Sequence, residues 1–77
     1  MGCYIILAQS ITNERAFLLA DLCTRLKIGY YSDWADVAHT RQCCAVGPVT
    51  KGDKDLIVKC LAHETYVVME ATKVENQ

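Results

Sequence analysis

Cys43 and Cys44 stand side by side in this 77-residue chain, and His39 precedes Cys43 by four positions. With His63 as a second base, this is the combination from which a thiol nucleophile would be built. Such a thiol needs partial exposure and an electropositive setting that lowers its pKa. Both cysteines fall in the apolar stretch from Gln42 to Val46, which predicts burial. The same residues are poor metal ligands. A structural zinc site draws on closely paired ligands such as Cys-x2-Cys, whereas vicinal residues of a strand point to opposite faces. His39 and Cys43 would share a face only on a continuous helix. No catalytic residue, metal or cofactor is therefore expected, and a thiol enzyme at Cys43 or Cys44 ranks third among the functional readings.

Two further patterns invite a chemical reading and weaken on inspection. Gly47-Pro48-Val49-Thr50-Lys51-Gly52-Asp53 looks like a turn into a helix. A phosphate-binding loop, however, requires lysine directly after its second glycine. Asp53 occupies that place and would repel a phosphate, so the segment reads as a loop and helix cap. Lys51, Lys54, Lys59, Arg41 and Lys73 make at most a modest basic stripe around the second helix, interrupted by Asp53 and Asp55. The chain's net charge is −1. Phosphate neutralisation supplies most nucleic-acid affinity and demands a basic excess, so a nucleic-acid-binding regulator stands only as the alternative function.

Tyr30, Tyr31 and Trp34 lie within five residues, beside Asp33 and Asp36. Aromatic anchors with a polar rim are enriched at protein-binding hot spots; the competing reading is that these rings fill the core. These five residues are the expected partner-binding set.

The five cysteines, Cys3, Cys23, Cys43, Cys44 and Cys60, are odd in number and sit within or beside apolar stretches. That arrangement reads as buried, reduced thiols. The N-terminus shows no basic region, and the apolar run from Cys3 to Ala8 is too short for a signal or a membrane span. A cytoplasmic location without membrane contact is expected.

The elements that must position these residues follow from periodicity. The run Cys3 to Ala8, ended by Gln9 and Ser10, predicts a central strand covered on both faces. Thr12 is the N-cap of a helix over about 13–27, with Ala16, Leu19, Ala20, Cys23 and Leu26 on one face and Gly29 as its stop. Gln42 to Val46 predicts a second buried strand, ended by Gly47-Pro48. Thr50 caps a helix over about 51–63, whose stripe is Leu56, Ile57, Cys60 and Leu61. A last strand runs over 65–74. The segment Tyr30 to Thr40 fits a short helix near 33–41 slightly better by pattern, but an edge strand by topology.

With the strand, the order is β-α-β-β-α-β: a single α+β domain of ferredoxin-like plan, two helices on one face of a four-stranded antiparallel sheet. That plan puts the two most continuous apolar runs in the centre, which decides for it. The alternative is a three-stranded sheet with an extra short helix. The apolar fraction of 52% exceeds the usual ~45–50%. So short a chain does not bury all of that alone, and a homo-oligomer is expected, through a sheet face or edge such as Tyr66 to Lys73. The leading functional expectation is a non-catalytic protein-binding module that works by surface occlusion or self-association. On size alone, it fits the class of small accessory or inhibitor proteins that phages encode.

Overall fold

A computed structural model describes residues 2–72. Its elements run β1 (Gly2–Thr12), α1 (Asn13–Leu26), β2 (Tyr30–Trp34), β3 (Arg41–Val49), α2 (Lys51–Cys60) and β4 (Tyr66–Thr72). The strands form one sheet in the order β2-β3-β1-β4, with every neighbouring pair antiparallel. This is the ferredoxin-like arrangement, with β1 and β3 central. The Tyr30–Thr40 ambiguity resolves as strand β2 followed by a turn, and the three-stranded alternative is excluded.

Strand alternation divides the sheet into two unlike faces. The face toward the helices carries Ile6, Ala8 and Ile11 of β1 and Cys44, Val46 and Val49 of β3, all buried. Ala16, Leu19 and Cys23 of α1, Ile57 of α2 and Leu61 just after it close the core from the other side. Six of these side chains, Ile6, Ile11, Leu19, Cys23, Ile57 and Leu61, are wholly inaccessible.

Two bulges tune this face. Between Ala8↔Cys44 and Ile11↔Gln42 the register gains a residue on β1; between Tyr4↔Val49 and Ile6↔Val46 it gains one on β3. An inserted residue shifts the alternation, so Ile11 and Val49 return to the core beyond the irregularities. The second bulge corrects the expectation that Gly47-Pro48 ends the strand. Pro48, joined to Gly47 by a cis peptide bond, sits within β3 because a bulge needs no ladder hydrogen bond from it. Gly47 is required there: its φ is +132°, and a Cβ would come within 2.7 Å of the Tyr4 carbonyl oxygen.

Helix ends follow the capping chemistry. The Thr12 hydroxyl accepts from Arg15 N, and the Thr50 hydroxyl from Asp53 N. The stop of α1 is Lys27 rather than Gly29. Lys27 adopts the left-handed conformation (φ 58°), where its N–H reaches the Thr24 carbonyl and Ile28 N–H the Cys23 carbonyl. Gly29 is instead held by close approach to β3, its carbonyl accepting from Gly47 N at 3.0 Å. α2 ends at Cys60, not His63, because its chain turns at Leu61 with Glu64 N donating to the Leu61 carbonyl.

Other expectations also need correcting. Leu56 is 44% exposed, since Ile57 and Leu61 alone point straight at the sheet. Cys23 and Cys44 are buried, but Cys3, Cys43 and Cys60 are only half-buried, and all five thiols are free. The expected strand end at Val74 lies outside the described residues. Among the described residues no helix is long and apolar enough to cross a membrane. The largest correction concerns β1, covered on one face rather than both.

Candidate functional site

The sheet face that no described element covers is the candidate site. Odd-numbered positions of β1 present Cys3, Ile5 and Leu7, all half-buried by their neighbours alone. β4 adds Val67 beside Leu7, Met69 beside Ile5 and Ala71 beside Cys3. On the other side β3 adds Ala45 beside Leu7, and β2 adds Tyr31 beside Ala45 and Asp33 beside Cys43. Val67 is 51%, Met69 46% and Tyr31 73% exposed. By strand alternation the charged positions on this face are Asp33 and, at its end beyond Cys43, Arg41, which lies 3.7 Å from Glu64. A contiguous apolar surface of this kind marks an interaction site more often than a bare surface.

Toward β2 the face deepens into a groove lined by Leu7, Gln9, Tyr31, Asp33, Trp34, Cys43 and Ala45. Tyr31 and Asp33, two of the expected partner-binding residues, thus share this concavity, while Trp34 borders it from a helix-facing position opposite Gln42. Trp34 stands at the outer end of β2, half-exposed, with its ring stacked on His39 at 4.6 Å between centroids. It also borders a second, smaller groove on the helix side, beside Phe17 and Gln42. The Asp33 carboxylate accepts from Trp34 N at 2.8 Å, and the Cys43 thiol points to the Asp33 carbonyl at 3.7 Å.

The other two expected residues lie elsewhere. Tyr30 points to the helices: its hydroxyl donates to the Ala16 carbonyl at 3.3 Å and lies 3.2 Å from Cys44 Sγ. Burial, then the Cys44 hydrogen bond, raises its pKa above the ordinary phenol value. Asp36 holds the turn after β2. Its carboxylate accepts from Thr40 N, Arg41 N and the Thr40 hydroxyl, and that last hydrogen bond does most to lower its pKa. Asn13 fixes the same turn from α1, donating to the His39 carbonyl and accepting from Gln42 Nε2.

The thiol-enzyme geometry does not assemble among the described residues. Cys43 and Cys44 face opposite sides of the sheet, and no hydrogen bond joins either to a histidine. Burial pushes the Cys44 thiol pKa up, the reverse of what activates a nucleophile, although the Tyr30 hydroxyl opposes part of the shift. No group of His, Cys, Asp or Glu among the described residues is arranged to hold a metal. The described part of the basic stripe is also dispersed, and Lys73 lies outside the described residues. Arg41 donates to the Ser10 hydroxyl and carbonyl and lies 3.7 Å from Glu64. Lys54 pairs with Asp55 at 3.0 Å and sits over the Tyr4 ring.

No family model, curated protein or solved structure matches the chain.

Residue-by-residue periodicity misses Ile5, Leu7 and Ala45 as contact candidates, whereas Val67 and Met69 fall within the Tyr66–Lys73 segment expected to mediate self-association. A signal for the missed residues exists in the sequence. The β1 run is apolar at every position, yet two helices cover only one face of a four-stranded sheet. The plan itself therefore demands a second cover for Cys3, Ile5 and Leu7.

Proposed function

We propose that this chain is a non-catalytic protein-binding module whose contact surface is the open sheet face. Its partner is another protein, which it occludes. The observation that carries this reading is the continuity of the face. Leu7, Ala45, Val67 and Met69 make an apolar centre that no described element covers, flanked by Tyr31 with Asp33 beside it. Apolar centre, aromatic anchors and polar rim are the composition of an interface patch. The partner chemistry follows: an apolar, shape-matched surface with a cationic or N–H donor group over Asp33.

A nucleic-acid contact finds less support, because the second helix's cations are paired or scattered among acids. Salt separates the two readings. A protein neutralising several phosphates loses roughly 10³–10⁵ in affinity between about 50 and 200 mM salt. Capture from cells of the source organism, repeated across that range, should recover a protein whose retention barely changes and is lost with Tyr31→Ala. Retention that collapses with salt, or survives Tyr31→Ala unchanged, counts against the proposal.

A further inference from the structure

The two edges of the sheet are built differently. β2 is a five-residue edge strand, and its open end is shut by its own chemistry. The Asp33 side chain takes up Trp34 N–H, Ala35 N–H goes to the Arg41 carbonyl, and Asp33 places a charge on the strand. Short edges and charges are the usual protection against strand addition. β4 has neither. It pairs with β1 without a bulge from Gly2↔Thr72 to Ala8↔Tyr66. Its seven residues carry a single charge, Glu70, and it is exposed on both sides. Val67 and Met69 are open on one, and Val68, 37% exposed, on the other.

We infer that β4 pairs antiparallel with β4 of a second copy of this chain, joining two sheets into one of eight strands. This proposal is independent of what binds the open face. Two identical strands pair antiparallel about a two-fold axis, and an isologous contact is self-complementary by construction. Full overlap of Tyr66–Thr72 on itself centres on Met69. It sets Val67 opposite Ala71 and Val68 opposite Glu70 of the second copy. Within Tyr66–Thr72 a register centred on Glu70 would bring like charges face to face; the full overlap avoids this and pairs the most residues. An axis that makes adjacent strands antiparallel stands normal to the sheet, which leaves both open faces on the same side. Val67 and Met69 of both copies then lie at the middle of one doubled apolar surface, where binding energy concentrates.

The register gives a test by charge sign. Val68 lies on the helix side, away from the open face, so its substitution leaves that face unchanged. Val68→Glu would set two carboxylates against Glu70 of the opposite copy, and Val68→Lys would set two ammonium groups there. Sedimentation of the wild-type chain should show a dimer at micromolar concentrations. Val68→Glu should raise the dissociation constant at least tenfold, while Val68→Lys should leave it unchanged or lower it. Amide hydrogen exchange on the wild-type chain supplies a readout free of folding defects: protection of residues 66–72 should fall on dilution. A monomer at all concentrations, equal weakening by both variants, or exchange in β4 indifferent to concentration overturns the proposal. So does a dimer that Ala45→Arg dissociates and Val68→Glu does not, since the copies would then pack through their faces.

Discussion

The Tyr30 hydroxyl lies 3.2 Å from the Cys44 thiol and donates to the Ala16 carbonyl, so it ties β2, β3 and α1 together. Its neighbour Tyr31 lies on the opposite face, 73% exposed. The adjacent tyrosines therefore have separable roles. Tyr30→Phe should cost about 1 kcal/mol of stability, the net value of a buried hydrogen bond, and leave partner binding intact. Tyr31→Ala should change stability by no more than about 0.5 kcal/mol yet weaken binding by at least about 2 kcal/mol. Denaturant titration and a binding isotherm on both variants check this.

The core prediction separates residues of one sequence stripe. Leu19→Ala removes a wholly buried side chain and should cost roughly 2–5 kcal/mol; Ile6→Ala and Ile57→Ala should fall in the same range. Leu56→Ala, at a site 44% exposed, should cost less than about 1 kcal/mol. Urea midpoints measure the difference, and equal losses at Leu56 and Ile57 would contradict the phase of α2.

How much of this was legible in the sequence depends on the kind of signal. The elements announced themselves through apolar spacing and through Thr12 and Thr50 as caps. Two continuous apolar runs were enough to put β1 and β3 in the centre. Lys27 as the helix stop was not legible, because a left-handed lysine is set by the path of Ile28 and Gly29 into β2, a tertiary demand. Nor was Pro48 within a strand, since the bulge that admits it depends on the opposite strand at Tyr4 and Ile5. Clustering in sequence singled out Tyr30, Tyr31, Asp33, Trp34 and Asp36, but strand alternation scatters them. Tyr30 goes to the core, Trp34 to the helix side opposite Gln42 and Asp36 to a turn, while Tyr31 and Asp33 stand on the open face. The rest of the surface comes from strands distant in sequence, which single-segment periodicity does not join.

Lys27 gives a prediction in the stabilising direction. A lysine at φ 58° bears a Cβ clash that glycine lacks. Lys27→Gly should raise stability by about 1 kcal/mol, less the entropy that glycine returns to the unfolded chain. Thermal unfolding would show it as a raised Tm; a lowered Tm would mean that the lysine stem makes a packing contribution that outweighs the clash.

Alkaline pH should destabilise the protein through Cys23. Burial, then the proximity of Cys60 and Cys44, pushes this thiol up to about 11 from 9.0. Its folded pKa lies above its unfolded one, so the neutral thiol's contribution is fully present below about pH 9. It is lost progressively as the pH rises toward 11. The loss across that window is on the order of 2–3 kcal/mol, and Cys44 and Tyr30, both raised, act in the same direction. Stability against pH for wild type and Cys23→Ala checks it: the variant's curve should fall less over this window.

Ala45 sits at the centre of the open face, with Leu7 opposite it on β1 and Tyr31 on β2. Ala45→Arg would raise a long charged side chain there, with solvent to extend into in the free protein and an apolar surface to meet in the complex. Titration of the captured partner against this variant, with the fold confirmed by circular dichroism, tests the open-face assignment most directly. The account predicts at least about a thirty-fold loss of affinity, the equivalent of a 2 kcal/mol hot spot. Unchanged affinity in a folded variant would place the contact elsewhere on the molecule.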